Sequence, residues 1–213
     1  MDWPRTRGTH QTQVRPLSPQ PVLGRTVPFL LGFGGIVPAM ETVHSAEFDS
    51  PIGTLRIAST ATGLAYLGLP NTGGRGFAGW LARRAKGARR EHAFAPNREA
   101  IRQVVEYLEG KRSDFDLPLD LRGTAFQCAV WKALCEIPYG ATRTYADLAR
   151  AVGNPNAMRA VGTANGANPI PLVVPCHRVV ASGGKLGGYG GGLDLKRRLL
   201  AMEQSVRHQG ALL

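Results

Sequence analysis

The residues able to do chemistry concentrate in one stretch, "PLVVPCHRVVASGGKLGGYGGG" at 171–192, where a thiol, Cys176, stands between a proline and a His-Arg pair. A cysteine among valines is ordinarily a small buried hydrophobe. Here His177 follows directly, Arg178 follows that, and Pro169, Pro171 and Pro175 stiffen the approach. A thiol near an imidazole and a cation has its pKa lowered and supplies thiolate, the nucleophilic form. Successive strand residues point to opposite faces, so His177 reaches the sulfur only through a bend or a bridging water. The following "GGKLGGYGGG" offers backbone amides with little side-chain cover and one aromatic, Tyr189. It lacks the GxxxxGK[ST] order of a nucleotide loop and reads instead as the lining for a flat ligand.

The elements that must position these groups lie on both sides of Gly123. From Met40, three β-prone runs separated by "SPIG" and "TATG" predict an antiparallel meander. "RGFAGWLARRAKGARR" predicts a helix with Phe77, Leu81 and Ala85 on one face and arginines on the other. "NREAIRQVVEYLEGKR" predicts a helix capped by Asn97 and stopped at Gly110, and "FDLPLDL" an edge strand, because Pro118 cannot donate within a central ladder. Beyond Gly123 the chain reads as helices joined by tight loops. "GTAFQCAVWKALCEIPYG" places Phe126, Val130, Trp131, Leu134 and Ile137 at helical spacing behind a Thr124 cap, with Cys128 and Cys135 expected as buried structural thiols. "TYADLARAVGNPNAMRAVGTANGANP" has the shape of a helix-turn-helix, with Arg159 in the first turn of its second helix. "GLDLKRRLLAMEQ" predicts a closing amphipathic helix, Leu195, Leu199 and Met202 inward and Lys196, Arg197 and Arg198 outward.

Composition narrows the setting. A chain of 213 residues, 43% hydrophobic and 19% charged, can bury one core or two small ones. The net charge of +11 suits nucleic acid or an anionic surface, and it is uneven: residues 81–112 hold nine Lys/Arg against four acids and 124–213 ten against four, while 40–80 hold two against three. Three cysteines, without disulfide or zinc spacing, fit a reducing cytoplasm. The apolar run at 27–40 is broken by glycines and preceded by about 26 polar, proline-rich residues, too long a leader for a secretory signal. Residues 1–39 are expected to be a disordered extension, or an upstream reading of a gene that starts at Met40.

"PCHRV", the arginine 17 residues before the cysteine, the asparagine eight before it, and "GGYGGG" after it closely resemble the O6-alkylguanine-DNA alkyltransferase family, the methylated-DNA–protein-cysteine methyltransferases. The resemblance is strong over 123–203 and looser back to Met40. It implies an α+β chain: a small N-terminal antiparallel sheet plus helices in a ribonuclease-H-like roll (40–122), then a mostly helical domain with a helix-turn-helix (123–213). It implies single, irreversible transfer of an alkyl group from O6 of guanine, and O4 of thymine, in duplex DNA to Cys176. By the same resemblance His177 takes the thiol proton through a water, Glu203 orients His177, Tyr145 donates toward N3 of the departing guanine, and Asn168 braces the turn before the cysteine. Arg159, with Ala160, Gly162 and Tyr145, would contact DNA from the minor groove and hold the space of the flipped-out base. Pro171 and Tyr189 would wall the pocket, and the backbone of Val179 and Gly190 would touch the base. The implied partner is double-stranded DNA carrying O6-alkylguanine, bound by a cytoplasmic monomer with no cofactor, metal or membrane. No cysteine precedes Cys128, so the zinc domain of bifunctional members is not implied. Ala167 stands where many members have a basic residue. A lesion-binding relative lacks the acceptor cysteine, a thiol hydrolase would need an oxyanion hole, and a plain helix-turn-helix regulator leaves PCHR unexplained.

Overall fold

β1 (Thr42–Ser50), β2 (Gly53–Ser59) and β3 (Leu64–Gly68) form the expected antiparallel meander in a computed structural model that describes residues 40–70 and 76–210. The extension expected at 1–39 lies outside the described residues. Alternate strand positions face opposite sides, and both sides of this sheet are covered. Phe48, Leu55, Ile57 and Leu67 face the main core, whereas Val43, Ala58, Ala65 and Tyr66 pack under α1 (Phe77–Arg84) against Trp80 and Leu81.

β4 (Arg89–His92) lies parallel to β1 and gives the order β3-β2-β1-β4, so the sheet is mixed rather than wholly antiparallel. α1 is the crossover that a parallel return requires. The sequence "RREH" has no apolar alternation to announce a strand. The edge strand expected from "FDLPLDL" reduces to one parallel bridge, Leu64 with Leu119. It is fastened by the Leu64 N–H to the Pro118 carbonyl and the Asp120 N–H to the Leu64 carbonyl, both at 2.8 Å.

α2 (Arg98–Leu108) buries Ile101, Val104, Tyr107 and Leu108. Asn97 does not cap it. Its side chain is fully buried and Nδ2 donates to the carbonyls of His44 (3.1 Å) and Ala93 (2.9 Å), tying the helix start to β1. α3 (Ala125–Cys135) starts on a reciprocal Thr124–Gln127 capping box. It buries Val130, Trp131 and Leu134, and Trp131 Nε1–H donates to the Ala164 carbonyl at 2.9 Å. Cys128 is only half-buried and Cys135 is exposed, against expectation. Seven residues apart, they share a helix side from which the core stripe turns away.

α4 (Tyr145–Ala151) and α5 (Met158–Gly166) form the helix-turn-helix, α4 starting on a Thr144–Asp147 capping box. A short parallel pair, β5 (Arg143–Thr144) with β6 (Val179–Val180), joins the start of α4 to the chain just past the thiol. α6 (Leu193–Gly210) closes the molecule over Leu199 and Leu200. Lys196 corrects the outward expectation: it is fully buried, because the glycine-rich loop folds over its side of the helix. One buried set runs from Leu55, Ile57 and Tyr107 through Trp131 and Leu134 to Val174, Cys176 and Leu199.

Asn97→Ala removes the donor shared by two half-buried carbonyls, a loss of about 1–3 kcal/mol in all. The expected outcome in a thermal melt is a Tm lower by roughly 3–9 °C for a chain of this size. An unchanged Tm would mean that the bridge to β1 contributes nothing.

Candidate active site

Cys176 opens a single 3-10 turn, Cys176–Arg178, so the chain bends where a strand would have sent the thiol and imidazole to opposite faces. The approach is a tight buried turn in which Leu172 takes φ 73°, a strained conformation for a residue with a branched side chain. Asn168 holds that turn from both sides. Its Nδ2 donates to the Val174 carbonyl at 2.7 Å and its Oδ1 accepts the Ile170 N–H at 3.0 Å.

Behind the thiol sits a buried polar cluster. His177 Nε2 lies 2.8 Å from Glu203 Oε1, and neither side chain has any exposure. Arg178 Nε donates to both Glu203 oxygens (3.1 and 3.0 Å), its Nη2 to Oε1 (3.0 Å) and its Nη1 to the Ile137 carbonyl (2.6 Å). The Tyr107 hydroxyl donates to Glu203 Oε1 at 2.6 Å and sits 3.1 Å from His177 Nε2, and the Gly140 N–H donates to Oε2 at 2.9 Å.

Burial alone would raise the Glu203 carboxyl, but the His177 and Arg178 hydrogen bonds and charges outweigh it and bring it down to about 2. Burial lowers the His177 pKa, against the Glu203 attraction, so the ring is neutral at pH 7. A neutral ring facing a carboxylate at Nε2 carries its proton there and leaves the Nδ1 lone pair free. Nδ1 is buried with no hydrogen-bond partner among the described residues. Burial raises the Cys176 thiol to about 11, with Asn168 and the Lys196 charge pulling the other way. At rest the thiol is protonated.

Cys176 opens onto a cavity of about 610 Å³ whose lining includes Tyr145, Gly162, Asn168, Pro171, Tyr189 and Gly190. The β5–β6 pair explains why Tyr145 and Cys176 meet across 31 residues of chain. Burial raises the Tyr145 pKa and keeps its hydroxyl protonated. Arg159 and Ala160 are exposed on α5, outside the cavity lining. Val179 lies behind that lining, fully buried, its carbonyl accepting from Lys196 Nζ at 2.5 Å. Lys196 Nζ also donates to the Leu186 carbonyl and, at 3.3 Å, to that of Gly188. One ammonium thus pins the loop that carries Tyr189 and Gly190. Gly187 is required there: its φ of 67° is left-handed, and a Cβ would come within 3.3 Å of the Tyr145 ring.

Sequence reasoning brought together Cys176, His177, Glu203, Asn168 and Tyr145. It missed Tyr107, which sits 69 residues before the cysteine in an ordinary amphipathic stripe. It also missed Lys196, whose signal resembles any helical surface lysine.

The ribonuclease-like domain of the 6-O-methylguanine DNA methyltransferase family matches residues 43–121, and that family's DNA-binding domain matches 125–205. The chain is 48% identical over 166 residues to a methylated-DNA–protein-cysteine methyltransferase of Mycolicibacterium paratuberculosis, covering 78% of this chain and 93% of that one. It is 57% identical over 108 residues to one of Methanosarcina barkeri, covering 51% and 68%. Among solved structures it resembles Mycobacterium tuberculosis OGT in complex with DNA, at 44% identity and TM-score 0.66, covering 76% of this chain and 94% of that one.

Two outcomes follow from the buried groups. The thiol, raised in the folded state from an ordinary 9.0 to about 11, contributes stability that is lost as pH rises through that window. Urea unfolding at pH 8 and pH 11 is expected to show Cys176→Ala losing about 2–3 kcal/mol less than the parent; equal losses would refute the shift. Lys196→Met fills the same space without the donors, and is expected to slow thiol alkylation by a small guanine-like substrate at least tenfold while the protein stays folded by circular dichroism. An unchanged rate would mean that the loop holds itself.

Proposed function

The chain belongs to the 6-O-methylguanine DNA methyltransferase family, and on that premise we propose that Cys176 is the residue that accepts the alkyl group as the protein repairs DNA by direct reversal. The supporting observation is the placement of Cys176 at the wall of a cavity, between Tyr145 and Asn168, with the buried His177–Glu203 pair behind it.

The thiol proton passes to the free Nδ1 of His177 through an intervening water, Glu203, itself held by Arg178, orienting the ring so that the transient imidazolium has a counter-charge. The sulfur attacks the alkyl carbon. The S–C bond forms as the C–O6 bond breaks, and the electron pair stays on guanine. The leaving base is neutralised by the Tyr145 hydroxyl, donating toward N3. The product is a thioether, which this machinery cannot hydrolyse, so each molecule acts once.

A base inside a duplex cannot present O6 to a buried thiol and must leave the stack. The exposed Arg159 at the start of α5 fills the vacated space from the minor groove, with Ala160 and Gly162 close to the backbone, a groove that carries little base identity and suits a repair protein. Pro171, Tyr189 and Gly190 wall the extruded O6-alkylguanine, and O4-alkylthymine fits the same chemistry. Val179 acts behind that wall by anchoring Lys196. Residues 40–122 form the platform that supplies Tyr107, and 123–213 the DNA-binding and acceptor part. The three free thiols suit a protein working in the reducing cytoplasm, and we take it to act there as a monomer.

The test is intact mass and peptide mapping after incubation with a duplex holding one O6-methylguanine, beside Cys176→Ala. The expected result is one methyl on the Cys176 peptide and none in the variant. Tight, lesion-selective binding without mass gain would make the protein a lesion sensor. Arg159→Ala is expected to slow transfer from duplex DNA by at least tenfold, yet leave transfer from the free base unchanged; equal slowing of both would remove its role in base extrusion.

A further inference from the structure

The cavity at Cys176 extends well past the groups that alkyl transfer uses. Its lining also includes Trp80, Arg83 and Arg84 of α1, with Arg122 and with Gln127 of α3. Nothing in the displacement at sulfur calls for cations there. Two of the three arginines are already engaged. Arg122 pairs with Glu41 and Asp120 and donates to the Arg84 carbonyl at 3.1 Å, and Arg84 Nη2 donates to Gln127 Oε1 at 2.8 Å. Arg83 is exposed and has neither an acidic partner nor a side-chain hydrogen bond among the described residues. It begins a run, "RRAKGARR" at 83–90, with five cations and no acid. Lys86 and Arg90 of that run are likewise exposed and unpaired, and only Arg89 meets a carboxylate, Glu91 at 3.1 Å.

We propose that the basic end of α1 and the turn into β4, led by Arg83, is a second DNA-contacting surface that binds backbone phosphates of the strand carrying the extruded nucleotide. The inference rests on the cavity receiving that nucleotide from duplex DNA. An extruded base brings its sugar and two flanking phosphodiesters with it, and these must leave the cavity along a wall. The α5 side presents Gly162, Asn165 and Gly166, which carry no charge, whereas the α1 side presents the unneutralised Arg83. A guanidinium without a carboxylate partner retains its full attraction for phosphate, and Lys86 and Arg90 extend the field along the same segment. Contacts of this kind position the duplex and carry no sequence information, which fits a protein that must accept a lesion in any context. The N-terminal region would thereby act on substrate directly, in addition to supporting the thiol through Tyr107.

The experiment measures equilibrium binding of the full chain to a methylated duplex across a salt series, in the Cys176→Ala background so that no transfer occurs. Arg83→Ala is expected to weaken binding several-fold at low salt and to make the slope of log affinity against log salt shallower by about 0.9, the value for one phosphate contact. Arg83→Ala with Lys86→Ala and Arg90→Ala should flatten it by about 2 to 3. With Cys176 restored, Arg83→Ala should alkylate from the free O6-methylguanine base at the parental rate, since that substrate has no phosphate. An unchanged slope in the triple variant overturns the proposal, as does equal slowing on free base and duplex, which would make Arg83 a wall of the base pocket. A parent that binds duplex with the expected salt dependence but takes up no methyl would sink the transfer reading while leaving this surface standing.

Discussion

Glu203 holds its charge without any solvent, on donors of four residues from three places in the chain: Tyr107 in α2, Gly140 after α3, and His177 and Arg178 in the turn that bears the thiol. An ionised carboxylate in such a place is tolerated only when paired and fully hydrogen-bonded, and losing one partner costs several kcal/mol. The requirement fixes α6, α2 and the Cys176 turn in mutual register. It also decides the chemistry. With Arg178 as the standing counter-charge, His177 need not be protonated to satisfy Glu203, and it remains a neutral base with its proton on the far nitrogen.

A thiol resting near 11 looks unsuited to nucleophilic work, yet burial that suppresses the thiolate also keeps the sulfur from adventitious electrophiles. On the proposed function, activation is reserved for a bound substrate, when the base excludes water and the His177 lone pair and the Lys196 charge act through a low dielectric. Lys196 links both halves of this arrangement. Its ammonium lowers the thiol pKa and, through the carbonyls of Val179, Leu186 and Gly188, sets the loop that carries Tyr189 and Gly190 at the cavity.

The net charge of +11 overstates what a duplex would meet. Arg178 and Lys196 are buried, Arg122 is neutralised by Glu41 and Asp120, and Arg102 is shared between Glu99 and Glu106. Among the described residues, the exposed cations without an acidic partner include Arg83, which lines the cavity, Lys86 and Arg90 further along the same run, and Arg159 on α5 outside the lining. The proposed nucleic-acid surface therefore rests on where these cations lie more than on how many there are.

Local order was legible in the residues alone. The meander, α1 to α6, the Thr124 cap and the helix-turn-helix follow from periodicity and capping chemistry, which act over a few residues and are written in consecutive ones. The thiol and its histidine were legible because they are adjacent, whereas Asn168, Glu203 and Tyr145 were reached through the resemblance to a known family and not through local pattern. What local pattern in the sequence could not determine was the pairings made across the fold. β4 joins β1 because α1 carries the chain over the sheet, and no pattern in "RREH" announces it. Asn97 abandons a helix cap for the carbonyl of His44, Tyr107 reaches Glu203 across 96 residues, and Lys196 turns inward once the glycine-rich loop closes above it. In each case a polar group took the partner that burial made available, and burial is a property of the tertiary structure.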